Sequence, residues 1–130
     1  MPGVCLDASY CLDFLRGLEA AVSKAHEWED SATELFLPVP AALEVLLWGR
    51  RHGEHSLRLT GELLDRNEIL DSTLEVANEA ARLGNECARR GGTVPNMDLL
   101  IAATARLHRL PLVTRDSDFH RIAGLTIESY

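Results

Sequence analysis

The chain is 130 residues long, 46% hydrophobic and 25% charged, the balance of a globular protein that buries its own core without disulfide staples. No apolar run approaches the ~20 residues of a membrane span. The net charge of −7, from 20 acidic and 13 basic residues, argues against holding nucleic acid by bulk electrostatics, but permits carboxylates gathered in one place and neutralised by metal.

One domain covering residues 1–130 is the expectation at this length. The N-terminus lacks a charged segment followed by a long apolar stretch, so no signal peptide is expected. The cysteines at 5, 11 and 87 are odd in number and form no CxxC pair. That disfavours a zinc site or a disulfide framework, and reduced thiols suit a cytoplasmic protein. Twelve of the basic residues are arginine, and Lys24 is the single lysine.

In chain order, Val4-Cys5-Leu6 reads as a short buried strand ending at Asp7. Ala8-Ser9 opens a helical pattern through Leu12, Leu15, Leu18 and Val22, with Gly17 placed to divide it. Leu35-Phe36-Leu37 reads as a second strand. Pro40 suits the start of a helix from about 41 to 51, closed by His52-Gly53. A further amphipathic helix covers 54–65, and Glu68-Ile69-Leu70 a brief strand. Asp71-Ser72-Thr73 supplies N-cap chemistry for a long helix to Arg90, stopped by Gly91-Gly92. A helix follows from about Met97 to His108, then a strand at Leu112-Val113-Thr114, a helical turn over 119–122 and a last strand within 125–128. Short apolar strands alternating with amphipathic helices predict an α/β fold with a parallel sheet covered by helices. In such sheets ligands bind beyond the carboxyl ends of the strands.

Four carboxylates draw notice against that frame. Asp7 and Asp116 both fall just past a predicted buried strand, where turn or cap chemistry is the plain alternative. Glu44 interrupts the otherwise apolar run Ala41-Ala42-Leu43-Glu44-Val45-Leu46-Leu47-Trp48. A charged group there needs compensation by an arginine, hydrogen bonds or a cation. Asp98 opens a helix continuing Leu-Leu-Ile-Ala-Ala-Thr-Ala, where stabilisation by the helix dipole is the alternative. Carboxylates sharing one pocket repel one another unless protons or cations enter. Hard ions such as Mg²⁺ or Mn²⁺ prefer all-oxygen surroundings, and they activate water for attack on phosphates.

These residues, in this order, resemble the PIN domain, most closely the VapC-type toxins of toxin–antitoxin pairs. The motifs are Val4-Cys5-Leu6-Asp7-Ala8-Ser9, then Pro38-Val39-Pro40-Ala41-Ala42-Leu43-Glu44-Val45. Next comes Val94-Pro95-Asn96-Met97-Asp98-Leu99-Leu100-Ile101-Ala102-Ala103-Thr104-Ala105. Leu112-Val113-Thr114-Arg115-Asp116-Ser117-Asp118-Phe119 completes the set, which extends to Ile122-Ala123-Gly124-Leu125. The third and fourth motifs together carry the specificity.

The resemblance implies a three-layer α/β/α sandwich with a central parallel sheet and Mg²⁺- or Mn²⁺-dependent endoribonuclease activity. It implies that Asp7, Glu44, Asp98 and Asp116 are catalytic and hold metal, with Asp118 in support. Ser9 and Thr114 match polar positions beside the acids and are candidates to support the site by bonding a carboxylate or a metal-bound water, with a helix cap and a strand-end hydroxyl as equally good alternatives. Asn96 stands where many relatives carry another acid. Tyr10 is expected to pack rather than line the cleft. Arg115, Arg89 and Arg90 are candidates for RNA phosphates, with ordinary solvated charge as the alternative. His108 and His120 are expected at the surface. A homodimer and a small cognate antitoxin are the implied partners. Leu46, Trp48, Leu57 and Leu64 suit either such an interface or the chain's own core.

Other functions stay open on the residues. One is a catalytically inactive PIN-like module that only binds a partner, against which the intact quartet argues. Another is a Mg²⁺-dependent phosphotransfer regulatory domain. That would need a strand-end lysine beside the acids, and Lys24 is poorly placed. A DNA-directed structure-specific nuclease of the same superfamily usually carries extra elements, for which 130 residues leave little room.

Overall fold

The computed structural model describes residues 2–130. Its first strand, β1 (Gly3–Leu6), carries Val4, Cys5 and Leu6 into the core. Helix α1 (Ala8–Leu15) follows, and the chain turns at Gly17 before α2 (Glu19–Asp30). Gly17 has φ +76°, a conformation that costs a side-chain-bearing residue far more than glycine. This is why the apolar spacing continuing to Leu18 and Val22 belongs to two helices.

Strand β2 (Glu34–Pro38) leads directly into α3 (Val39–Arg51). Pro40 sits in the first turn of α3, where a missing N–H costs no helical bond. Helix α4 (Glu54–Asp65), strand β3 (Glu68–Leu70) and helix α5 (Leu74–Arg89) come next. The Thr73 hydroxyl caps α5, accepting from the Val76 amide at 3.2 Å. Helix α6 (Asn96–Leu107) precedes β4 (Leu112–Val113), a short 3-10 helix (Ser117–Arg121) and β5 (Ile127–Glu128). The last two strands are shorter than their apolar runs suggest. Thr114 lies outside β4, although its amide still donates to the Glu128 carbonyl at 3.3 Å.

The five strands form one parallel sheet in the order β3-β2-β1-β4-β5. Helices flank it as the outer layers of the expected α/β/α sandwich. The central strands are dry: Cys5, Leu6, Leu37, Leu112 and Val113 have no exposed surface. Ile101, Ala102, Ala103 and Ala105 of α6 are equally sealed, the small side chains letting that helix approach closely. All three cysteines are buried free thiols. No described helix is long and apolar enough to cross a membrane.

The strand order sets the location of the site. From β1 the chain moves outward to β2 and β3, then returns to the opposite side of β1 for β4 and β5. The carboxyl ends of β1 and β4 therefore bound a switch-point crevice, where open parallel sheets bind ligands.

Candidate metal centre

Asp7 enters this crevice from the end of β1. It is 4% exposed, and its amide donates to the Val113 carbonyl at 3.1 Å, fixing it beside β4. Its Oδ2 accepts from the Thr114 hydroxyl at 2.7 Å and the Ser9 hydroxyl at 2.9 Å. Burial raises the Asp7 carboxyl above its ordinary value, and the two hydroxyls partly oppose that shift.

Thr114 also reaches the other arm of the site. Its Oγ1 accepts from the Asp116 amide at 3.0 Å. Asp116 in turn caps the 3-10 helix, with Oδ1 accepting from the Asp118 amide at 2.9 Å. That cap folds Asp118 back toward Asp116. Asp98, in the first turn of α6, completes the group: one carboxylate oxygen from each of Asp98, Asp116 and Asp118 lies within 4.8 Å of the others.

The tight cluster is thus Asp98, Asp116 and Asp118. The sequence pattern assigns Asp7 and Glu44 ligand roles equal to Asp98 and Asp116, with Asp118 in support, whereas Asp7 and Glu44 stand outside the 4.8 Å group. The Asx turn at 116–118 accounts for the entry of Asp118, and the two hydroxyls account for the orientation of Asp7.

Both outer carboxylates nevertheless act on the same field. Glu44, half-buried on α3, is raised by burial and by the charges of Asp7 and Asp116. Asp98 is pushed up to about 6, by burial first and then by Asp7, Asp116, Glu44 and Asp118. Asp7, Glu44 and Asp98 are each harder to ionise in the fold, and with Asp116 and Asp118 beside them they form a site that a divalent cation would relieve. The tight cluster contains oxygen donors alone, which fits a hard cation such as Mg²⁺ or Mn²⁺ and does not fit zinc or copper.

The arginines divide. Arg115 lays a fork on Asp13, with Nε to Oδ2 at 2.6 Å and Nη2 to Oδ1 at 3.1 Å. The Tyr130 hydroxyl donates to the same Oδ2 at 2.5 Å. Burial alone would raise the Asp13 carboxyl, but Tyr130 and Arg115 outweigh it and hold the group below its ordinary value. Arg115 is therefore committed on one edge, though its side chain stays 61% exposed. Arg89 and Arg90 are exposed at the end of α5. His108 and His120 are also exposed.

Arg115 is a candidate phosphate contact from the sequence, but Asp13 and Tyr130, which hold it, are not among the residues that the sequence pattern singles out. One signal points to Asp13: it interrupts the apolar run Tyr10-Cys11-Leu12-Asp13-Phe14-Leu15 much as Glu44 interrupts its own. Tyr10 is a packing residue. Its ring meets Trp28 and Tyr130 edge-on at 5.0 Å each, and its hydroxyl donates to the Ala21 carbonyl at 2.7 Å.

Comparison with known proteins bears on the fold and the family. The family model described as the PIN domain matches residues 4–125. No curated protein matches the chain. Among solved structures, VapBC2 from Rickettsia felis, bound to a DNA fragment from its promoter, superimposes with a TM-score of 0.86 at 20% identity, covering 98% of each chain. DNA-bound VapBC from Salmonella typhimurium gives 0.85 at 24% identity, over 99% of this chain and 98% of that one. VapBC-1 from nontypeable Haemophilus influenzae gives 0.83 at 18%, over 98% and 97%. At such identities these likenesses speak for the fold. Together with the family match across nearly the whole length, they establish that the chain belongs to the PIN-domain family.

Proposed function

We propose that this chain, as one domain over residues 1–130, is a Mg²⁺- or Mn²⁺-dependent endoribonuclease and the toxin of a VapBC-type toxin–antitoxin pair in the cytoplasm. The observation that carries the reading is the convergence of Asp98, Asp116 and Asp118 oxygens within 4.8 Å at the switch point of a PIN fold. Asp98, Asp116 and Asp118 would hold the cation directly. Asp7 and Glu44 complete the acidic surround, either as further ligands or through water.

A carboxylate-held divalent ion supplies Lewis-acid activation of water and neutralises charge building on a phosphodiester. The chain's own residues do the rest. Thr114 and Ser9 hold Asp7 in one rotamer. Asp13 and Tyr130 orient the Arg115 fork beside Asp116. The free edge of Arg115 is then available to a substrate phosphate. Arg89 and Arg90 are further phosphate contacts.

One observation favours this over phosphotransfer. Lys24 pairs with Glu128 at 3.4 Å and Glu27 at 3.9 Å, so it is engaged at the end of β5.

For partners we propose a homodimer and a small antitoxin. Val39, Leu43 and Leu47 leave an exposed apolar stripe at four-residue spacing on α3, next to Glu44. Such a stripe suits a second copy of the chain. Leu46, Trp48, Leu57 and Leu64 are half-buried, and Leu64 packs against the core. A cavity of about 580 Å³ lined by Phe14, Trp28, Leu35 and Leu63 offers apolar surface to an antitoxin segment.

The test is purified, antitoxin-free protein incubated with RNA, with and without Mn²⁺, beside Asp98→Asn and Glu44→Gln. Metal-dependent cutting is expected. Both substitutions should reduce it by about 100-fold or more, the scale of removing one charge-stabilising group from the transition state. Undiminished cutting without metal, or in both variants, would reject the proposed site.

A further inference from the structure

A second polar opening lies beside the acids, between the C-terminal end of α5 and the 3-10 helix. Arg90, Gly91, Gly92, Thr93, His120 and Arg121 line this cleft of about 490 Å³. Arg121 laces its walls together, Nη1 donating to the Thr93 carbonyl at 3.0 Å. The Arg121 carbonyl in turn accepts from Arg90 Nη2 and from the Cys87 thiol, each at 3.5 Å. The two arginine side chains nevertheless remain 52% and 54% exposed.

The anionic groups facing them are few. Glu86 lies 3.8 Å from Arg90 but makes its shorter bond, 3.0 Å, to Arg82. Asp118 lies 3.8 Å from Arg121 Nη1. Asp118 is also a member of the tight carboxylate cluster, so the cationic cleft and the acidic site meet at one residue.

A chain of net charge −7 cannot gather a polyanion by its overall field. Its acidic centre repels phosphate on approach. Substrate must then be held by local cations, and guanidinium forks are suited to phosphate oxygens. We propose that this cleft binds a phosphate of the RNA strand adjoining the one presented to Asp98, Asp116 and Asp118, with Arg90 and Arg121 as its grips and His120 at its rim. The proposal rests on the nuclease reading for its substrate. It assigns His120 and Arg121 to substrate binding, and it pairs Arg90 with them rather than with Arg89.

The test uses the full chain carrying Asp98→Asn, so that RNA is bound and not consumed. A fluorescein-labelled, unstructured 12-nucleotide RNA is titrated with Mg²⁺ present, and anisotropy is read between about 50 and 200 mM salt, the range over which phosphate binding shows its salt dependence. Adding Arg90→Ala and Arg121→Ala should raise Kd about 10-fold or more. It should also flatten the plot of log K against log salt by about 0.7 for each phosphate no longer neutralised. Arg58→Ala, on the exposed surface of α4, should change neither.

Arg121 also ties down Thr93, so Arg90→Ala alone and Arg121→Lys serve as milder variants. The first should give a several-fold weaker Kd. The second should keep the salt slope while losing affinity through loss of the fork. Unchanged Kd and slope in the folded double variant would overturn the proposal, as would a parent that binds no RNA. Cutting by the unsubstituted chain with Mn²⁺ is scored separately. If it cuts RNA but binding ignores the cleft, the cleft alone is overturned. If it binds through the cleft and never cuts, the cleft stands and the nuclease reading falls.

Discussion

Thr114 touches both arms of the acidic site, donating to Asp7 and accepting from the Asp116 amide. Thr114→Val keeps the shape and removes the hydroxyl. A buried carboxylate loses a donor and an amide loses its acceptor, which costs about 1–3 kcal/mol. Metal affinity should fall about 10-fold, the usual range when a group that orients a ligand is removed. Thr114→Ser should recover both properties, as measured by denaturant unfolding and Mn²⁺ titration. Tyr130→Phe probes the neighbouring network. Asp13 keeps the Arg115 fork but loses the hydroxyl that helps hold its carboxyl below the ordinary value. A carboxyl depressed in the fold stabilises it above the unfolded value near 3.8 and ceases to do so as pH falls through the folded value. The phenylalanine variant should therefore be less stable near neutrality by about 1 kcal/mol, and the difference should narrow in acid.

At the scale of the elements, the α3–α4 crossing turns on Gly49. A Cβ there would lie 2.6 Å from Thr60 Oγ1 and 3.3 Å from the Leu57 Cα. Thr60 is fully buried and its hydroxyl donates to the Ser56 carbonyl at 2.9 Å, so α4 itself would have to shift. Alanine's better helix propensity offsets about 1 kcal/mol of an overpacking cost of about 1–3 kcal/mol. Gly49→Ala should lower the denaturation midpoint with the m-value unchanged, and Gly49→Ala with Thr60→Ala, which removes the hydroxyl that the new Cβ would strike, should recover part of the loss. The helices and strands are legible in the sequence because their signals are local: apolar spacing, the Thr73 cap, Pro40 in a first turn, glycines at the breaks. The ends of β4 and β5 are less so, since pairing partners rather than composition decide where a two-residue strand stops. At the site, Asp7, Glu44, Asp98 and Asp116 announce themselves as acids in apolar or strand-end settings. The close approach of Asp118 depends on a cap two residues away, and the meeting of Asp13 with Arg115 and Tyr130 joins opposite ends of the chain. Asp13 does interrupt an apolar run, but nothing local in the sequence names its partners.

For the molecule as a whole, the acidic centre sets stability against function. Asp7, Glu44 and Asp98 all ionise less readily in the fold than in the unfolded chain. A carboxyl raised in this way stabilises the fold while protonated. For Asp98 that contribution is complete below the unfolded value of 3.8 and is lost as pH climbs through about 6. The Asp13 contribution changes in the opposite sense and at lower pH, so the two windows separate. Metal-free protein should therefore melt several degrees higher near pH 5 than near pH 7. A cation that binds the native cluster adds stability by mass action, and protons compete for the same oxygens. Mn²⁺ should thus raise Tm strongly at pH 7 and weakly at pH 5. Asp98→Asn removes the charge that is hardest to keep in the fold. The metal-free variant should melt above the metal-free parent at pH 7, show a flatter dependence on pH, and gain little from Mn²⁺. Calorimetric scans at the two pH values, with and without Mn²⁺, test the scheme. If the asparagine variant instead melts well below the parent at pH 7 without metal, Asp98 is held by favourable contacts rather than by crowding, and the acids do not form the mutually repelling set that calls for a cation.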